Sequence, residues 1–151
     1  MADLSEVWSK LCETIAGDAT IAGLLGGTGS VLYAEDVVDK LPDYPFIRLM
    51  IVNADPSRVD SGVGRWDVML QIDVFGPQMA VNWRLHDLMQ GLLEIPRTRP
   101  NGLSTANYEI KEMTIAGPIS PVGRIGIKDS QGRDIKQLSA TWMLRVVKVG
   151  G

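Results

Sequence analysis

Cys12 and His86 are the only thiol and the only imidazole in the chain. A lone cysteine forms no internal disulfide. A zinc site of the usual kind takes about four ligands from such groups, so no metal and no cofactor is expected. No apolar run reaches membrane-spanning length, and no basic-apolar-small leader opens the sequence. Synthesis in the cytoplasm and no membrane partner are the expectations. Basic residues are not in excess: 15 Lys and Arg stand against 18 Asp and Glu, a net charge of -3, which gives no general pull toward nucleic acid.

Recognisable catalytic motifs are also missing. "GLLGGTGS" superficially suggests a phosphate loop, but Ser30 follows Gly29 where a Walker loop needs lysine, and no strand precedes it. A helix end followed by a flexible loop is the favoured reading. No G-x-S-x-G elbow holds a serine nucleophile. Cys12 borders the apolar stripe of a helix and His86 sits beside Leu85 on another. Core or helix-surface roles are favoured for both over a Cys-His nucleophile pair.

What is present suits one folded unit. A chain of 151 residues with 45% apolar side chains has material for a real core, and one domain over residues 1–151 is expected. The 16 glycines cluster in loops, which suggests tight turns rather than a linker. Asp3 and Glu6 have the spacing of a capping box. Leu4, Val7, Trp8, Leu11 and Ile15 then repeat at helical spacing, predicting a helix over 4–16 stopped by Gly17. A short helix over 19–25, closed by Gly26 and Gly27, and a short strand over 31–34 follow. Pro42 and Pro45 break the connection to a strand over 46–52. Residues 53–64 read as a polar loop too long for a tight hairpin.

"RWDVMLQIDVFGP", residues 65–77, is the clearest strand. Trp66, Val68, Leu70, Ile72 and Val74 share one face; Arg65, Asp67, Met69, Gln71 and Asp73 share the other. A helix starting at Gly76-Pro77 carries a stripe of Val81, Leu85, Leu88 and Leu92, and ends before Pro96 and Pro100. Residues 108–115 form a further strand. Residues 124–137 predict a hairpin turning at Asp129–Gly132, whose second strand runs from about 134 to 149, roughly 50 Å. Leu138, Ala140, Trp142, Leu144 and Val146 form its apolar face, and its first part projects beyond the sheet. The fold class is α+β: a mainly antiparallel β-sheet with helices packed on one face and a projecting β-hairpin.

Asp67 and Asp73, six residues apart on one strand face, are separated by roughly 20 Å, too far for a glycosidase pair. A solvated sheet face is favoured on pattern alone; the functional reading turns Asp67, Gln71 and Asp73 toward a subunit neighbour or a channel. Arg58, Asp60 and Arg65 border the polar loop, and Arg124, Lys128, Asp129, Arg133, Asp134 and Lys136 decorate the hairpin. Mixed signs argue against a nucleic-acid patch. Solvated loops and protein contacts both fit these extensions.

The succession "DATIAGLLGGTGSVLYAE", "LPDYPFIRLMIV", "RWDVMLQIDVFGP", "QMAVNWRLHDLMQGLL" and "LSATWMLRVVKV" resembles, over roughly residues 4–149, the phage tail terminator (tail completion) proteins of long-tailed phages. The resemblance rests on the order of the segments rather than on any one motif. It implies a non-enzymatic virion protein at the tail-neck region, assembled in the host cytoplasm. It implies a homo-oligomeric ring, usually a hexamer, that caps the head-proximal end of the tail tube and meets the head-neck connector or stopper protein. DNA passes through the lumen without specific binding, and lumenal carboxylates such as Asp67 and Asp73 would repel its phosphates. Two other readings stand beside it: another neck or head-tail joining protein, and a small hydrolase or ligand-binding domain with a pocket around His86.

Overall fold

The computed structural model describes residues 4–27, 29–33, 42–59, 62–95, 103–123 and 125–149, with the backbone alone for 57–59 and 62–63. Its elements are α1 (Ser5–Ala16), α2 (Ala19–Leu24), β1 (Val31–Tyr33), β2 (Phe46–Val59), β3 (Gly62–Gly76), α3 (Met79–Leu93), β4 (Tyr108–Ile115), β5 (Ser120–Val122) and β6 (Lys136–Lys148). The strands form one six-stranded sheet in the order β1-β2-β3-β6-β4, with β5 also paired to β6. Only β1 runs parallel to its neighbour; every other pair is antiparallel. This is the expected α+β class.

The alternation in β3 decides how the sheet is buried. Val68, Leu70, Ile72 and Val74 lie in a core with Val7, Leu11 and Ile15 of α1 and Leu85, Met89 and Leu93 of α3. β6 contributes Leu138, Ala140, Trp142, Leu144 and Val146 to the same core, as its pattern predicts. The stripe of α1 is also as expected, with Val7, Trp8, Leu11 and Ile15 buried. That of α3 is rotated by one residue: Asn82, Leu85, His86, Met89 and Leu93 face inward. Val81, Leu88 and Leu92, expected at its centre, flank the core half-buried.

The helix starts and stops differ from expectation in instructive ways. Asp3 lies outside the described residues, and Leu4 occupies the N-cap of α1 with no side-chain hydrogen bond. Glu6, the expected partner of Asp3, lies in the first turn of α1. Its carboxylate accepts from Thr105 Oγ1, the Asn107 backbone N–H and Asn107 Nδ2, pinning α1 to the turn before β4. Asp18 caps α2 instead, accepting from the Ile21 N–H at 3.0 Å. Gly26 is not a left-handed helix stop. Its backbone N–H donates to the Pro45 carbonyl, and a Cβ there would lie 2.5 Å from the Asp43 carbonyl oxygen. Glycine is required at this position by the close approach of two backbones.

Residues 53–59 and 62–64, expected as loop, belong to the β2–β3 ribbon, which pairs through Ser57↔Arg65 to Val59↔Gly62. A bulge between Ile51 and Asn53 leaves Val52 as the extra residue. β6 pairs with β3 only as far as Arg65, so the ribbon runs past the end of the sheet. The hairpin expected over 124–137 is differently built. β6 starts at Lys136, its antiparallel partner is β5, and residues 125–135 form an arm closed by a Lys128↔Asp134 bridge. The turn at Asp129–Gly132 is as expected, with Gly132 at φ +77°.

Candidate functional site

The sheet face turned away from the helices carries the polar half of β3 and its neighbours. At one end it holds a second apolar cluster: Leu32, Phe46, Phe75 and Ile135, with Tyr44 and Ile125 packed against it. The Phe46 and Phe75 rings stack at 4.9 Å. Ile125 and Ile135 are the two roots of the arm, and Ile135 is fully buried. Residues 125–135 therefore fold over the sheet at their base, and the arm is anchored in the core it was expected only to project from.

Next along the face comes a polar knot. Arg48 Nη2 donates to Asp73 Oδ2 at 3.0 Å, Gln71 Nε2 to Asp73 Oδ1 at 2.8 Å, and Ser139 Oγ to the same oxygen at 2.6 Å. Gln137 Nε2 donates to Ser139 Oγ, and the Arg48 guanidinium lies 4.9 Å from the Phe75 ring centroid. Asp73 is 0% exposed. Its place on the helix-free face is as expected, but a channel-facing role does not suit it: three donors and the apolar cluster shut it from solvent, as a buried charge requires.

Asp67 sits in the open. Arg65 Nη2 lies 3.7 Å from its carboxylate, Arg145 Nε 3.5 Å, and Arg145 Nη1 is 3.6 Å from Glu112. These residues form a half-exposed charge row across β3, β6 and β4. Asp55 on β2 stands directly opposite Asp67. No ion pair to Asp55 is found among the described residues; its contact is from Asn53 Nδ2 at 3.3 Å. Between knot and row, Met50, Met69, Thr114, Thr141 and Met143 fill a half-exposed neutral band.

Of the other residues singled out by sequence, Asp60 and Arg124 lie outside the described residues, and only the backbone of Arg58 is described, within β2. On the arm, Lys128 is exposed, while Asp134 is half-buried and bridged to it through the backbone. Arg133 Nε and its backbone N–H both donate to Asp129, at 2.8 Å each. Burial raises the Asp129 pKa, but these bonds and the one from the Gln131 N–H outweigh it and hold the carboxyl below its usual range.

His86 and Cys12 are on different helices. His86 is 2% exposed, its ring edge-on to Trp83, and its pKa is lowered by burial, with Asp87 pulling weakly the other way. Grooves of about 330, 260 and 300 Å³ lie on the surface, and His86 lines none of these. Among the described residues no three His, Cys, Asp or Glu side chains gather closely enough to hold a metal ion, and no helix is long and apolar enough to cross a membrane.

Sequence reasoning missed the apolar cluster on the polar face, because Phe75 was assigned to neither face of the strand over 65–77. The signal was available: Phe46 and Phe75 are the only phenylalanines, and each sits in the polar phase of its strand.

No protein-family model matches the chain, and no curated protein matches it either. Solved structures do match. A second solved chain aligns over 97% of this chain and 93% of its own, with a TM-score of 0.51 and 12% identity. A chain from the virion of a native gene transfer agent particle aligns with a TM-score of 0.65 and 14% identity, covering 98% of this chain and 98% of its own. At that identity the likeness is one of fold, and it extends over essentially the whole length of both chains.

Proposed function

We propose that this chain is a structural subunit of a phage-like virion, without enzymatic activity, and that residues 1–151 act as one tail-terminator-like domain. In this reading copies of it form a ring, most simply a hexamer, at the head-proximal end of a tail tube. The ring ends tube polymerisation and presents the joint to the head-neck connector or stopper protein. The observation that carries the reading is the end-to-end likeness of fold to a chain of the gene transfer agent virion. The resemblance in segment order supports the finer assignment to the tail end.

The physical features fit a role in assembly. A sheet covered by helices on one side leaves a broad half-exposed face for neighbours. Arg65, Asp67, Arg145 and Glu112 offer charges of both signs there, which suits register and specificity more than raw affinity. If the face borders the lumen, Asp67 and not Asp73 is the carboxylate that repels passing DNA. Arg58, Asp60 and Arg65 on the ribbon, and Arg124, Lys128, Arg133 and Asp134 on the arm, are the proposed contact residues.

Removing the gene tests the assignment. Tails grown without the protein should exceed their normal length and fail to join heads. Tails of normal length that lack only the head joint would instead place the protein on the connector side. Normal, infectious or transducing particles would end the virion reading altogether.

A further inference from the structure

The two flanks of the sheet are treated differently. The outer edge of β4 is closed: Ile95 exchanges backbone bonds with Met113, Ile110 donates to the Leu103 carbonyl, and Thr105 to that of Tyr108. The Glu6 carboxylate pins that closing segment through Thr105 and Asn107. Among the described residues the outer edge of β2 is open beyond Leu49. β1 covers it only at Ile47–Leu49, and among the described residues nothing pairs with Met50–Val59 on that side. Val52 to Pro56 are all exposed. An unpaired strand edge invites pairing with another chain unless it is covered.

Among the described residues a second open edge lies on the far flank. β5 pairs with β6 alone, and Ser120, Pro121 and Val122 are all exposed. From β2 to β5 is three strand steps, roughly 14 Å at the usual spacing, with the two open edges pointing apart. Three large apolar side chains are exposed among the described residues. Val52 (52% exposed) is on β2, while Val122 (40%) and Ile127 (45%) are on β5 and the arm. Among the described residues Asp55, three positions from Val52, has no ion pair, and neither has Lys128, next to Ile127. Within one copy Val52 and Val122 lie on opposite edges of the sheet and cannot meet; between successive copies they can.

We propose that the open β2 edge around Val52 and Asp55 receives the β5 arm of the next copy, with Val122 and Ile127 against Val52 and Lys128 against Asp55. Such a contact uses two different patches, so it is head-to-tail, and repetition closes a ring or extends a filament. Pro56 has no N–H and ends any backbone ladder at that point, which bounds the pairing to the stretch before it. This inference rests on the ring reading above and specifies which surfaces make the ring.

Cysteine cross-linking tests it. In a Cys12→Ser background, Val52→Cys and Ile127→Cys are combined in one chain, and assembled particles are oxidised or treated with a short bismaleimide. The expected result is a ladder of covalent oligomers that ends at the ring number, with neither single variant giving more than traces of dimer. Asp55→Lys alone and Lys128→Asp alone should each reduce the ladder several-fold, and the two together should restore it. Lysine cross-linking of unsubstituted particles runs in parallel. A lysine ladder with only monomer from the cysteine pair overturns this contact and leaves the ring intact. Monomer from both overturns the ring, and this contact with it.

Discussion

Leu70 and Trp142 stand directly opposite one another in the β3–β6 ladder, 0% and 1% exposed, at the centre of the core beneath the helices. They are the point where the two best-patterned strands meet. Leu70→Ala should cost about 2–5 kcal/mol and Trp142→Ala about 3–5 kcal/mol. Because the two side chains share a neighbourhood, the double substitution should not be the sum of the singles. Urea unfolding of the three variants checks this, and wild-type midpoints in either single would mean that the strand phase is wrong.

Arg48 and Arg145 both pair with carboxylates of β3 on the same face, yet they should differ sharply. Arg48→Ala leaves Asp73 buried with only the Gln71 and Ser139 donors, and should cost roughly 2–4 kcal/mol, tempered by the partial exposure of Arg48. Arg145→Ala opens a half-exposed row and should cost no more than about 1 kcal/mol. Thermal melting of the pair tests the contrast. Equal losses would show that the Asp73 knot contributes nothing special.

Gly26 and Gly27 are adjacent, and only the first is hemmed in. A Cβ on Gly26 would meet the Asp43 and Tyr44 carbonyls, whereas one on Gly27 would meet nothing within 4 Å. Gly26→Ala should destabilise by about 1–3 kcal/mol because backbone must shift. Gly27→Ala should leave the melting temperature unchanged or slightly raised. Comparable losses in both would instead implicate backbone freedom at the end of α2.

His86 sets a pH dependence whose sign can be worked out. Burial lowers its folded-state pKa below the ordinary 6.5, so the folded chain holds it neutral. The stability this contributes is complete above the unfolded pKa and is lost as pH falls through the folded one. Between pH 7.5 and 5, wild type should lose more stability than His86→Gln. A parallel decline in both would show that His86 does not report the acid sensitivity.

Much of the core was legible because period and burial agree. β3, β6 and α1 each carry an uninterrupted pattern against one face, whereas in β4 the irregularity at Lys111 shifts the phase between Ile110 and Met113. The β2–β3 ribbon was not, because residues 53–56 are exposed and the bulge at Val52 shifts the phase. A strand that is wet on both faces has no apolar alternation to read. The stripe of α3 was misplaced because two of its five inward positions, Asn82 and His86, are polar. Asn82 is held there by the Gly76 and Lys136 carbonyls, both at 3.3 Å, a tertiary fact with no local signature. The candidate site was half legible: the polar face of β3 stood out, whereas the burial of Asp73 depends on Arg48 and Ser139, 25 and 66 residues away.

The central claim, a ring subunit at the top of a tail tube, is tested most directly by locating the chain in assembled particles by electron cryomicroscopy. The account predicts one ring of this fold, six copies in the simplest case, between the last layer of tube subunits and the head-neck connector, with the helix-free sheet face in contact with neighbours or lumen. Density for this fold as isolated copies, at the baseplate end, or on the capsid shell would contradict it.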